Sequence, residues 1–386
     1  MEAVLTGILV WILGGLAALI LSRFPRLAST VGASAAVVGA LIALTPTLRV
    51  LLDGGRESQV LPWDAVHGRF HLELDPLGAA FLLPILGLSV ISAVYGAKYL
   101  MAYRHKKSLG APWFFFNTFI AGMTLVVIAR TVLLFVVAWE VMSLTAFFLI
   151  TFEHEDAGVR RAGWVYLVAA QLGVAFLLAA FMILGNHARS LEFAAFTSAT
   201  TLSATTAGAV FVLTLIGFGA KAGVVPFHVW LPEAHPAAPS HVSALMSGVM
   251  IKMGLYGLLR VLTFLGQPAP WWGITLAVTG MITALVGISV ALYQRDIKRI
   301  VAVDGGADGP AGGLVPGNGP NAVLRVGLCR PGATAAPGKS SRADRQRISA
   351  DPGIAVIRGN LQRLVVGCHR NNVRVAGCAR TRVKQR

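Results

Sequence analysis

What most limits the fold of this chain is a succession of apolar runs, each close to 20 residues long. A helix rises about 1.5 Å per residue, so such a run covers the roughly 30 Å of a bilayer's hydrocarbon core. Nine are expected, at about 3–22, 29–52, 76–97, 112–129, 131–152, 162–184, 207–236, 240–264 and 271–293. Charged residues make up only 13% and hydrophobic ones 55%, far from the balance of a water-soluble globular domain. No basic residue precedes the first run, which therefore reads as a membrane helix and not as a cleaved leader. The predicted fold is all-α: a polytopic transmembrane helix bundle with a broken seventh helix, followed by a disordered tail.

A net charge of +16 would ordinarily point to nucleic acid, but its position argues otherwise. Residues 301–386 hold 14 Lys and Arg against 4 Asp and Glu, whereas residues 1–300 hold 19 against 13. Every aromatic residue precedes position 301, and Cys329, Cys368 and Cys378 all follow it. A Gly-, Pro- and Arg-rich tail of this kind cannot bury a core, and its scattered charges form no binding block. No nucleic-acid partner is expected; the partner implied by composition is the lipid bilayer. Loop charge then gives orientation. With the amino terminus outside, eleven basic residues, among them Arg23, Lys98, Lys106, Arg160 and Lys298, fall inside; six, Arg49, Arg56, Arg69, Arg130, Arg189 and Arg260, fall outside. The acidic connection 53–75, with FHLELD extended, then lies outside a bacterial-type inner (plasma) membrane.

The residues that carry chemistry are ionisable side chains deep in apolar helices. Counted along their runs at 1.5 Å per residue, Glu140 lies about 14 Å in, Lys221 about 21 Å and Lys252 about 18 Å. A charge at that depth costs at least about 2.5–3.5 kcal/mol, so it faces protein or a water-filled path. A structural ion pair or a snorkelling lysine is the plain alternative for any one of them. Three on three helices point to a functional site.

Around Lys221 the segment GFGAKAGVVPFHVWLPEAHPAAPSH carries glycines up to Gly223 and prolines from Pro226 onward. A helix break is predicted at Gly223 and Pro226, with Pro226 opening a new helix. Broken helices at membrane depth mark ion sites in transporters. His228 and His235 are candidate proton relays, and His241 lies in the same stretch. Arg160 and Arg161 need only the charge bias of loops, and Trp113 to Phe116 only an interfacial aromatic belt. No cysteine set, histidine pair or glycine fingerprint in the membrane part would hold a cluster, haem or dinucleotide, so no cofactor or metal is expected on this chain.

The stretches WFFFNTFIAGM, FVVAWEVMSLTAFFLITFEHE, GFGAKAGVVPFHVWLPEAHPAAPSHVSALMSGVMIKMGLYGLLR and YQRDIKR resemble the antiporter-type membrane subunits of respiratory complex I, Mrp antiporters and membrane-bound hydrogenases. AWEVMSL, FEHE, RRAGW and HVWLPEAHPAAPSHVSALMSGVMIK are most similar to hydrogenase-4 component B and formate hydrogenlyase subunit 3. The resemblance covers about residues 70–300. It implies that Glu140 pairs with Lys221 in the broken helix and that Lys252 passes protons onward. It also implies sibling membrane subunits and a peripheral hydrogenase or dehydrogenase arm as partners, the chain itself being a non-redox subunit of an oxidoreductase complex.

The expected organisation is 1–111, three helices with the outside loop 53–75; 112–264, a first antiporter-like five-helix unit; 265–300, the ninth helix of an incomplete second unit; and 301–386, the tail. The family continues past DIKRIVA with a Ser-rich, Glu-containing turn and further helices. Here VDGGADGPAGGLVPGNGP follows instead, and a one-base shift with permitted codons restores a turn of that kind, so the reading frame is expected to be lost near residue 301. The alternatives to a proton-translocating subunit are a cation/proton antiporter subunit, a truncated membrane fragment without function, or a purely structural anchor.

Overall fold

In the computed structural model, which describes residues 1–61, 70–198 and 202–293, helices dominate and the sheet is a single hairpin. Among the described residues nine helical spans are long and apolar enough to cross a membrane. They are built from α1 (Glu2–Ile20), α2 (Pro25–Asp53), α3 (Pro76–Met101), α4 (Gly110–Ile128), α5 (Val132–Ile150), α6 (Ala157–Ala188), α8 (Ala204–Ala222), α9 (Leu231–Ala237), α10 (Ser240–Leu245), α11 (Ile251–Leu262) and α12 (Pro270–Tyr293), with the short helix α7 (Phe193–Ser198) in the connection between α6 and α8. The seventh span is α8 with α9, and the eighth is α10 with α11. The expected tail, and the basic residues Arg69, Arg295, Lys298 and Arg299, lie outside the described residues.

Local chemistry sets where the helices stop. α2 opens on Pro25, whose missing N–H falls where a helix has a spare donor, and closes on Gly54 at φ 67°. The side chains of Asp75, Asp156 and Ser203 accept backbone N–H bonds at the starts of α3, α6 and α8. Between α2 and α3 the expected extended segment forms β2 (Phe70–Leu74), antiparallel to β1 (Glu57–Leu61), with Glu57 opposite Leu74 and Leu61 opposite Phe70.

Successive spans alternate in direction and so define two faces. The hairpin, Arg130 and the end of α11 share a first face; residues 102–109, 151–156 and 238–239 share the second. Within the bundle α1 packs on α2 and α4, α2 on α3, α4 on α5, and α8 on both α6 and α11. With no hydrophobic drive between helices in lipid, close approach of small residues does the work. At the α6–α8 crossing a Cβ on Gly173 would stand 3.0 Å from the Gly217 carbonyl oxygen. Polar bonds add to this: the Trp11 indole donates to the Ala36 carbonyl, and Asn117 to that of Gly32. Large apolar side chains such as Leu13, Ile91, Leu172 and Leu285 remain exposed on the bundle's outside, where lipid would cover them.

Candidate functional site

The seventh span is broken. α8 ends at Ala222, Gly223 takes φ 74°, the Val225–Pro226 peptide is cis, and a 3-10 turn over Phe227–Trp230 leads into α9. Pro226 therefore precedes a 3-10 turn and does not open an α-helix. The next α-helix instead places Pro232 in its first turn, where no N–H is needed. A break exposes backbone groups that lipid cannot satisfy. Here protein does so: Val224 N–H donates to the Gly219 carbonyl, Val225 N–H to the Thr283 hydroxyl of α12 (3.1 Å), and the Trp230 indole to the Ala220 carbonyl (2.8 Å).

Lys221 sits one residue before the end of α8 and is 3% exposed. Its ammonium donates to the Ser143 hydroxyl at 2.8 Å and the Tyr166 hydroxyl at 2.9 Å, and it lies 5.0 Å from the Tyr166 ring centroid. Tyr166 in turn donates to the Ser143 carbonyl at 3.2 Å. Glu140 stands one turn before Ser143 on α5 and accepts from Gln171 at 2.8 Å, while its second oxygen is buried without a partner. Residues three apart on a helix share a face, so the carboxylate and the lysine's hydroxyl dock are neighbours. The ion pairs found among the described residues do not include Glu140 with Lys221, and the structure holds the lysine on neutral hydroxyls.

Lys252 lies on α11, half-buried, with no bond to another described side chain; a π turn over Met246–Met250 immediately precedes its helix. His235 is buried, its Nδ1 3.4 Å from the Ser243 hydroxyl and its ring stacked on Trp230, which also packs against Tyr166. His228 is half-buried, with Nδ1 unpartnered. The structure thus brings Glu140, Lys221 and, through Trp230, His235 into one region, and leaves Lys252 and His228 without a side-chain bond to it.

Ser143, Tyr166, Gln171, Trp230 and Thr283 are absent from the sequence-based candidates. The spacing of Ser143 from Glu140 is a signal that could have found the first. A second charged cluster was also not foreseen. Asp75 accepts two bonds from Arg260, both at 2.7 Å, and one from Arg130 at 2.9 Å, while capping α3 through Gly78. Burial pushes the Asp75 carboxyl up, but the Arg260 hydrogen bonds and the charges of Arg130 and Arg260 outweigh it and bring it down to about 2.

A broken membrane helix carrying a buried lysine, with a carboxylate one helical turn from that lysine's dock, defines a polytopic membrane protein with ionisable side chains set inside its bundle. Residues 129–304 match the family described as NADH:quinone oxidoreductase/Mrp antiporter, TM, and form a domain of these antiporter-like membrane subunits. It is 38% identical over 299 residues to hydrogenase-4 component B of Escherichia coli (strain K12), covering 76% of this chain and 44% of that protein. Formate hydrogenlyase subunit 3 of the same strain is 32% identical over 235 residues, 60% of this chain and 36% of the relative. The solved Mrp complex from Dietzia sp. DQ12-45-1b contains a chain that superposes with a TM-score of 0.63 at 26% identity, over 77% of this chain and 33% of that one. The chain spans less than half the length of each of these three.

Proposed function

We propose that this chain is a proton-translocating membrane subunit of a hydrogenase or NADH-quinone-oxidoreductase-like complex. The observation that carries the reading is the Lys221 ammonium at membrane depth, docked on the hydroxyls of Ser143 and Tyr166 beside a helix break, with Glu140 one turn away. A lysine that moves between neutral hydroxyls and a carboxylate changes how firmly it holds its proton, and such a change is what a pump element needs. Lys252 then accepts the proton for onward transfer, and His228 and His235 are candidate relays near the break.

Sibling membrane subunits and a peripheral hydrogenase or dehydrogenase arm are the partners in this reading, and the redox cofactors reside on them and not on this chain. The protein lies in a bacterial-type inner membrane with its amino terminus outside. Ser108→Cys is then labelled by an impermeant thiol reagent only from the cytoplasmic side and Ser58→Cys only from outside; the reverse pattern overturns the orientation.

The test is translocation in sealed vesicles carrying the assembled complex. Lys221→Met and Glu140→Gln are expected to reduce proton movement to background at normal membrane levels, because a neutral side chain is easier to bury than a charge. Parental translocation by both would refute the proposal. A cation/proton antiporter subunit is the second reading, favoured by the superposition on a chain of the Mrp complex. Sodium-dependent proton movement without an electron donor would select it.

A further inference from the structure

On the second face a cleft of about 560 Å³ opens among the ends of α3, α4, α5 and α10. Pro112, Phe115 and Phe148 form its walls, Lys106 and Glu155 stand among the charged groups that line it, and His241 lines it too. His241 is only 2% exposed, yet neither of its ring nitrogens has a hydrogen-bond partner. Aromatic rings hold it in place: Tyr99 at 5.7 Å, Phe116 at 5.6 Å and Trp113 at 6.4 Å between centroids. The Trp113 indole nitrogen is also buried without a partner. Gly96 makes room for the ring, since a Cβ there would stand 2.8 Å from His241 Cδ2.

Both ring nitrogens of His241, and the indole nitrogen of the adjacent Trp113, are thus buried without partners, which is unfavourable. Water arriving through the cleft, which His241 lines, can serve both imidazole nitrogens, accepting from one and donating to the other. The surroundings do not fix the imidazole in one state. Tyr99 is the titratable side chain that α3 turns toward it; Trp113 and Phe116 of α4 carry no charge, nor does any residue of α10 besides His241 itself. In the cleft Lys107 and Glu155 neutralise each other at 2.6 Å, and His154 lies 3.9 Å from Glu155, which leaves the exposed Lys106.

We propose that this cleft is an aqueous vestibule that admits protons from the second face, and that His241 is the first side chain within the membrane to carry them. The inference rests on the proton-translocating reading above. A proton delivered by vestibule water binds the free ring nitrogen, the other nitrogen gives its proton to the next water inward, and neutral imidazole remains as the opposite tautomer. The next polar groups inward are on the same helix and its neighbour: Ser243, two residues on, meets His235, whose stacked Trp230 borders the Lys221 dock.

The decisive experiment reads access first and transport second. In the full chain with its three cysteines, Cys329, Cys368 and Cys378, changed to serine, His241→Cys should react with a small cationic, membrane-impermeant methanethiosulfonate. It should do so from the side that labels Ser108→Cys, at a rate within one order of magnitude of that control; reaction from neither side, or only from the other, overturns the proposal. If the cysteine variant fails to fold, deuterium exchange at the imidazole C2 position of the unaltered chain takes its place. His241 is expected to exchange as the exposed His105 does, and an inert His241 in a chain whose His105 is fully exchanged overturns the vestibule. In the assembled complex His241→Gln should slow translocation several-fold while Lys221→Met abolishes it. Parental rates in His241→Gln, with Lys221→Met inactive, overturn the inference alone; parental rates in Lys221→Met overturn the functional reading and leave the access result standing.

Discussion

Asp75 and Lys221 are both buried ionisable residues in one bundle, yet their surroundings are opposite in kind. Asp75, on the first face, accepts from two guanidinium groups and a backbone N–H, and it ties the start of α3 to the α4–α5 connection and the end of α11. Lys221, at membrane depth, donates to two neutral hydroxyls, and the carboxylate one turn away from them is held by an amide. A charge answered by opposite charges with bidentate geometry is fixed in place. A lysine whose hydrogen bonds go to neutral hydroxyls is not fixed in that way. One cluster is a clamp; the other, in the proposed reading, is a site where charge moves.

The strongest way to break this contrast is to compare stability losses. Removing one partner of a buried pair leaves the other uncompensated, so Arg260→Met should cost about 3–5 kcal/mol and lower the unfolding temperature of the purified protein markedly. Lys221→Met should leave that temperature unchanged or raise it; an equal loss in both would mean that Lys221 is structural.

A finer test concerns the dock. Hydrogen bonds to a charged group contribute about 1.5–3 kcal/mol, so Ser143→Ala and Tyr166→Phe should each be destabilising to about that extent. Because the two hydroxyls share one ammonium, the effects should not add. The double variant is expected to lose less than the sum, since the lysine moves to Glu140. A loss larger than the sum would show that Glu140 cannot take it.

Smaller still is the cost of straining the break: Gly223 has φ 74°, and Gly223→Ala should destabilise by about 1–2 kcal/mol, measurable by denaturation in detergent. Least visible under ordinary conditions is the acid response of the clamp. Its carboxyl is depressed from 3.8 to about 2, so the stability it contributes is complete above pH 4 and is lost as pH falls through 2. Asp75→Asn should remove that part of the acid transition, and an unchanged acid limb would place the transition elsewhere.

The membrane spans were legible because length and apolar composition suffice to specify them, and Glu140, Lys221 and Lys252 stood out because charge is rare in such runs. Gly223 and Pro226 announced the break through backbone geometry alone. The clamp was hidden because its members lie 55 and 185 residues apart, and each reads singly as a loop or helix-end charge. Tyr166 and Ser143 were hidden for a similar reason: they approach Lys221 from 55 and 78 residues away, and a hydroxyl in a membrane helix is unremarked until its partner is known. Trp230 and Thr283 repair backbone groups, a task that leaves no mark on composition.

The π turn at Met246–Met250 makes Lys252 a matter of counting. A wide turn accommodates one residue more than an α-helical turn does, and each residue of an α-helix advances the azimuth by about 100°. Straightening that turn into a regular α-helix with every residue kept would swing Lys252 by about a quarter-turn relative to α10. The wide turn, and not a side chain, thus sets the direction in which Lys252 leaves the helix.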